Sequence, residues 1–248
     1  MVSASLLIIG DEILSGRTQD KNTAYIAAWL NEAGIQLAEV RIVLDVEADI
    51  VAAVNALRAR YDYVFTTGGI GPTHDDITAE SMATAFGLPL TTHPEAHRLL
   101  TEYYGAADFT AARKRMSKTP EGAALIENPV SIAPGFQVEN VFVMAGVPKI
   151  MQAMLEALRP RLKAGRKIWS QAITIHAPES KMADKLGQIQ NDTTGVTLGS
   201  YPFFRDGKIG TQIVVRSAEK AAIKDAVNQL VDYCAQADYA HEDPAEIS

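Results

Sequence analysis

The residues best suited to chemistry are glycines and carboxylates that follow short apolar runs. Residues 66 to 78 read Thr-Thr-Gly-Gly-Ile-Gly-Pro-Thr-His-Asp-Asp-Ile-Thr. Gly68, Gly69 and Gly71 leave a stretch of backbone nearly free of Cβ atoms, so a ligand can approach it closely. The N–H groups of such a loop, with the helix start beyond it, attract anions such as phosphate. Asp75 and Asp76 follow at once. Two carboxylates beside a phosphate make sense with a hard cation between them, as Mg²⁺ sits among oxygen ligands. The glycine spacing is neither the dinucleotide fingerprint nor a Walker loop. A tight glycine turn with Asp76 as a helix N-cap is the plain alternative.

Three other stretches carry similar chemistry after a strand-like run: Gly10-Asp11-Glu12, Asp45, and Ala145-Gly146-Val147-Pro148. Ligands of open parallel sheets bind at the carboxyl ends of the strands, near the point where strand order reverses. Four loops at one sheet edge can therefore build one pocket. Asp11, Glu12, Asp75 and Asp76 are the candidate metal ligands, because so many carboxylates cannot all ionise together without a cation. Asp45 serves equally as a site carboxylate or as the N-cap of the next helix. Gly10, Ser15, Thr66, Thr67, Gly68, Gly69, Gly71, Thr73 and Gly146 are the candidate ligand and phosphate contacts, although the hydroxyls can also bond local backbone. His93 and His97 lie one helical turn apart without a third ligand and read as a surface pair. His74 is a solvent-facing loop histidine. No Ser–His–Asp or Cys–His set is supported by its surroundings.

The elements that must position these loops alternate. Strands are expected at 5–9, 35–44, 63–67 and 141–144. Helices carry Ile26, Trp29 and Leu30, then Ile50, Val54 and Leu57, then Ser81, Met82 and Ala85, and finally Met154, Leu155 and Leu158. This is the βαβ pattern of a doubly wound, mostly parallel sheet. Asp20 or Asn22 is the expected cap of the first long helix, and Thr92-His93-Pro94-Glu95 reads as a capping box. Arg113, Lys114 and Arg115 read as a solvated face or a phosphate clamp at the rim. A short edge strand over 123–126 and a stiff loop over 128–136 complete the domain, which is expected to span residues 1–166. Residues 167–248 change rhythm to a small α+β domain with βαββα order. Asp206-Gly207 is its hairpin turn, Ser217 starts the last helix, and the acidic tail from Ala235 is frayed.

The bulk numbers exclude several classes. A net charge of −7 argues against nucleic acid or an anionic membrane as partner. Cys234 is the single cysteine, so no internal disulfide forms, and its place in the last helix makes it a small buried hydrophobe. The N-terminus runs straight into a strand with no basic region before it, which fits neither a signal peptide nor a membrane span. A cytoplasmic protein is expected.

Taken together, Thr66 to Thr78, Gly-Asp-Glu-Ile-Leu-Ser-Gly (10 to 16), Asn-Pro-Val-Ser-Ile-Ala-Pro-Gly-Phe (128 to 136) and Leu-Gly-Ser-Tyr-Pro (198 to 202) resemble the MoaB/MogA molybdopterin-binding domain in its CinA (competence/damage-inducible) form. The resemblance implies a doubly wound first domain, a small α+β domain and a homo-oligomer. It also implies that Asp45 and Asp76 match the acidic pair serving molybdopterin adenylylation, and Thr66 to Gly71 the pterin- and phosphate-binding loop. The CinA branch implies divalent-metal-dependent hydrolysis of ADP-ribose, with Mg, Mn or Co, and related domains cleave FAD. Ile70, Ala145 and Ser131 depart from the molybdenum-cofactor branch, which weakens the pterin assignment more than the fold. The nicotinamide-nucleotide amidase domain of longer CinA proteins is not expected here. Three functions follow: a metal-dependent hydrolase of a nucleotide pyrophosphate, a molybdopterin-binding protein or adenylyltransferase, and a non-catalytic binding module. The partner in each is a small nucleotide or pterin phosphate.

Overall fold

The computed structural model describes residues 2–163, 165–205 and 207–248. The chain divides into two compact units, Met1–Gly165 and Arg166–Ser248. In the first unit the order is β1 (Val2–Ile9), α1 (Asp11–Leu14), α2 (Asn22–Glu32), β2 (Ile35–Val43), α3 (Glu47–Arg58), β3 (Tyr63–Thr67) and α4 (Thr78–Phe86). There follow β4 (Leu90–Thr92), α5 (Pro94–Asp108), α6 (Ala111–Arg115), β5 (Lys118–Pro120), β6 (Ala124–Ile126), β7 (Gly135–Val138), β8 (Val141–Met144) and α7 (Pro148–Leu158). Its main sheet has the order β2-β1-β3-β8-β7-β6. β7 alone runs against the others.

Alternation along the central strands builds one core on each face of this sheet. Leu6, Ile8, Phe65, Phe142 and Met144 pack under α2 and α7 with Ile26, Leu30, Met151 and Leu155. Leu7, Ile9, Val64, Val141 and Val143 pack under α3 and α4 with Ile50, Val54, Leu57 and Met82. Phe65 and Phe142 stack with ring centroids 5.2 Å apart. β1 lies between β2 and β3, so the crossovers leave β1 in opposite directions and strand order reverses beside it. The carboxyl ends at Ile9, Val43, Thr67 and Met144 thus meet at one edge, with Ile9 opposite Val43 and Thr67 opposite both Ile8 and Met144.

Several helix starts differ from expectation. Asp20 stands one residue before the N-cap Lys21 of α2, and its Oδ1 accepts the N–H groups of Asn22 (2.9 Å) and Thr23 (3.3 Å). Neither Asp45 nor Asp76 is a cap: Val46 precedes α3 and Ile77 precedes α4, neither with a side-chain bond. At α5 the cap is His93, whose Nδ1 accepts from Ala96 N, while Glu95 pairs with Arg98 rather than closing a box. His74 is solvent-exposed. Pro120 lies in β5, a three-residue strand paired to β4, and Phe136 lies in β7 rather than in a loop.

The second unit contains β9 (Trp169–Ile175), α8 (Ala183–Asp192), β10 (Val196–Arg205), β11 (Lys208–Ser217) and α9 (Lys220–Ala237), with sheet order β10-β11-β9. Ile173, Ile213 and Val215 pack against Ile189, Ile223 and Leu230 in a separate core. Gly207 takes φ 74° in the β10–β11 turn; Asp206, expected beside it, lies outside the described residues. The last helix begins three residues after Ser217, whose Oγ accepts Glu219 N. Cys234 is buried on α9, and burial pushes its thiol pKa up. The tail is not frayed. Glu242, Ala245 and Ser248 donate N–H groups to Thr174, Ala172 and Ser170 at 2.9 Å each, so it runs along the open edge of β9. Among the described residues no helix is long and apolar enough to cross a membrane.

Candidate functional site

Above the strand ends lies an open cavity of about 560 Å³, confined to the first unit. Its wall is built from the loops after β1, β2, β3 and β8 and from the 128–136 loop. Of the expected residues, Gly10, Glu12, Asp45, Gly68, Gly69, Gly71, Asp75, Asp76 and Gly146 line it.

The glycine loop is fixed from behind. Gly68 N–H donates to Met144 O (3.2 Å), Thr78 Oγ1 donates to Gly68 O (3.0 Å), and Thr78 N–H donates to Gly69 O (3.0 Å). Gly68 passes so near β1 that a Cβ there would stand 2.0 Å from Ile9 O, and its φ of +106° is open only to glycine. What remains free is the front of the loop. The N–H groups of Gly69, Ile70 and Gly71, and across the cavity those of Gly146 and Val147, donate to no protein acceptor among the described residues. Unpaired backbone donors around a concave site are an anion receptor.

The carboxylates are held individually. Asp11 and Asp45 exchange bonds: Asp11 N–H to Asp45 Oδ2 at 3.1 Å, and Asp45 N–H to Asp11 Oδ1 at 3.0 Å. Burial is the first cause that pushes the Asp45 pKa above the ordinary carboxylate range, and the nearby charges of Asp11 and Glu12 add to it. Asp76 Oδ2 accepts both Thr73 N–H (2.7 Å) and Thr73 Oγ1–H (2.5 Å), closing the turn before α4. The Glu12 carboxylate lies against Gly10, where a Cβ would stand 2.6 Å from Oε2; Gly71 makes the same room for Asp76 Oδ2. Those two glycines accommodate carboxylates of the protein. The neighbouring Thr73 hydroxyl is the first cause that holds the Asp75 pKa below its usual range.

Other expected residues stand elsewhere. Thr66 and Thr67 are buried inside β3, and their hydroxyls have no partner in the structure, so they cannot touch a ligand from within the sheet. Ser15 ends α1 outside the cavity, Thr73 is committed to Asp76, and Asp11 reaches the site only through Asp45. Among the described residues no three of His, Cys, Asp and Glu come close enough to hold a metal ion. Glu12, Asp45, Asp75 and Asp76 share one cavity without forming a cage, so they do not fit a resident divalent ion.

Two further contributors come from stretches that the sequence marks only as a stiff loop and a basic face. Asn128, nearly buried, donates from Nδ2 to Ser131 Oγ (2.7 Å) and Ala133 O (2.8 Å) and accepts the N–H groups of Val130 and Ser131, which shapes the wall facing the glycine loop. Its place before Pro129 was the available signal. Arg115, from the expected basic face, donates to Asp76 O at 3.2 Å and stands 3.6 Å from Glu80, bracing the loop from below.

Residues 5–164 match the family described as "probable molybdopterin binding domain", and residues 167–243 that described as "FAD synthase, middle domain". A protein of Archaeoglobus fulgidus is 36% identical over 225 residues, covering 91% of this chain and 95% of its own length. One from Thermoplasma volcanium is 30% identical over 246 residues, covering 94% and 96%. A crystal structure of "the protein CinA with unknown function" from Thermoplasma acidophilum is 37% identical with a TM-score of 0.61, and covers 64% of this chain and 96% of that one.

Proposed function

The chain belongs to the molybdopterin-binding-domain family in its CinA-like form, and from that premise we propose that its cavity binds and hydrolyses a nucleotide pyrophosphate of the ADP-ribose or FAD type. The observation that carries this reading is the pairing of unpaired N–H groups at Gly69–Gly71 and Gly146–Val147 with a raised-pKa carboxylate, Asp45, in one cavity. The donors take the diphosphate oxygens. Glu12, Asp75 and Asp76 would repel a bare diphosphate, and they form no resident cation cage, so the substrate is its complex with a divalent cation such as Mg²⁺, Mn²⁺ or Co²⁺. Asp45 orients a water and takes its proton as the water oxygen bonds to phosphorus. The bridging P–O bond breaks, and two phosphomonoesters leave. A carboxylate pKa raised toward the working pH suits a general base.

The family description favours a second ligand, molybdopterin, whose phosphate the same donors would grip. The assembly is a homo-oligomer in this reading, supported by the open outer edge of β2, a long edge strand on which Val40 and Ile42 are exposed.

The test is a panel of ADP-ribose, FAD, ATP and molybdopterin, each with Mg²⁺, Mn²⁺ or Co²⁺, scored by calorimetric binding and by chromatography of products. Cation-dependent cleavage of the diphosphate bridge of ADP-ribose or FAD is expected. Binding of molybdopterin with no cleavage of any diphosphate would transfer the site to the pterin reading. No binding by any member would overturn both.

A further inference from the structure

The second unit carries a cavity of its own, about 400 Å³, on the sheet face turned away from α8 and α9. The register places its walls. Tyr201 lies opposite Gln212, which lies opposite Thr174; Phe203 lies opposite Gly210, and Arg205 opposite Lys208. Alternation puts these side chains on the face opposite Ile173, Ile213 and Val215, which fill the core.

Two glycines on this face determine its shape. A Cβ at Gly210 would stand 2.3 Å from Phe203 Cζ, so the Phe203 ring lies across the neighbouring strand. A Cβ at Gly199 would stand 3.1 Å from the Tyr201 ring and hydroxyl, and Arg216 donates to that hydroxyl at 3.1 Å. The rings lie down over glycines and leave a depression floored by aromatic surface. Its open end carries Arg205 and Lys208, neither with a carboxylate partner among the described residues. Arg205 stands 5.1 Å from the Phe203 ring centroid. Opposite them, His176 Nε2 lies 3.7 Å from Glu242 Oε1.

We propose that this cavity is a mononucleotide site. Arg205 and Lys208 take a phosphate, and the rings of Tyr201 and Phe203 take the base by stacking. Gln212 and Glu242 supply the amide and carboxylate that hydrogen-bond base edge and ribose hydroxyls. Two cations with no carboxylate partner among the described residues, beside aromatic faces in a chain of net charge −7, are a local exception that a neutral or cationic ligand leaves unused. The site lies wholly in the second unit and does not depend on the first cavity's chemistry.

The probe is AMP, a phosphomonoester with no diphosphate bridge to cleave, titrated into the ¹⁵N-labelled full chain. Amide shifts are expected at Thr174, at 201–205 and at 208–212. The double variant Arg205→Ser/Lys208→Ser should weaken AMP at least tenfold with an unchanged melt, since both side chains are exposed. Adenosine should bind at least tenfold more weakly than AMP to the unmodified chain. Shifts confined to residues 9–150, or second-unit shifts that survive the double variant, would overturn the proposal. Inorganic phosphate binding as tightly as AMP would overturn its nucleotide part. Loss of the first-cavity activity alone would leave these shifts in place, so the two proposals fail separately.

Discussion

Asp45 and Asp11 hold one another through their backbones, each carboxylate accepting the other's N–H, and Glu12 stands close by. Crowded, partly buried carboxylates favour protonation, and burial is the larger cause of the raised Asp45 pKa. The sign for stability follows from linkage. A folded-state pKa above the unfolded one contributes stability at low pH, and that contribution is lost as pH rises through the folded value. Deprotonating Asp45 therefore costs stability. Asp45→Asn keeps an oxygen for Asp11 N–H and removes the charge, so its melting temperature should exceed wild type at pH 7 and converge on it below the ordinary carboxylate range. If Asp45 is the base, turnover in the same variant should fall by about 10²–10⁴-fold. Parallel melts and rate assays between pH 3 and 8 check both halves. A variant with wild-type turnover would remove Asp45 from the chemistry, whatever its melt. Gly69 is unsuited to such a test. A Cβ there would stand 2.2 Å from Thr78 Oγ1, and φ is +65°, so a side chain disturbs the start of α4 before it meets any ligand.

At the scale of elements, the tail on β9 gives the clearest measurement. Deleting residues 240–248 removes the three N–H donations to Thr174, Ala172 and Ser170, together with the bonds from Ser170 N to Ser248 O and from His176 N to Ala240 O. At about 0.5–1.5 kcal/mol net per hydrogen bond, offset by the entropy of ordering the tail, a loss on the order of 1–3 kcal/mol is expected. Urea unfolding should show it, and the 170–176 amides should exchange faster. Unchanged stability and exchange would mean the tail is only laid on the sheet. The tail also marks what the sequence could not disclose. Its composition is acidic and lacks a helical stripe, but its pairing runs through backbone groups that every residue carries. β4, β5 and β7 were missed for a related reason: three or four residues are too few to show a period, and Pro120 argues against a strand. The four strands bearing the first cavity and the helices between them were legible, because each buries a face long enough to repeat. Within the site, the cavity-facing loops were legible by type and position. The burial of Thr66 and Thr67 was not, since a threonine at a strand's end reads alike whether it faces core or ligand.

At the scale of the whole molecule, each unit has its own core, and the homo-oligomer proposed above would draw on the surface left over. β2 is the outermost strand of its sheet, nine residues long, and Val40, Ile42, Leu44 and Val46 are 37–45% exposed along it and just beyond. Unpaired apolar edges invite another strand unless they are charged or covered. A second copy is the partner proposed for this edge. Antiparallel pairing about a two-fold axis at Val40 sets Glu39 of one copy opposite Arg41 of the other, twice, and Ala38 opposite Ile42, twice. Matched apolar pairs across strands add to pairing, on the order of 0.2–1 kcal/mol per pair, and an axis counts each of them two times; Glu39 and Arg41 already pair within each copy, so their cross-strand approach adds less. Val40→Lys places two ammonium groups against each other on that axis, while each isolated copy keeps the new side chain in solvent. Light scattering after size exclusion should therefore give at least twice the monomer mass for the wild-type chain and the monomer mass for Val40→Lys, with unchanged circular dichroism. An oligomer of the same mass in both proteins would place the interface elsewhere, and a monomer in both would leave the β2 edge without the partner assigned to it.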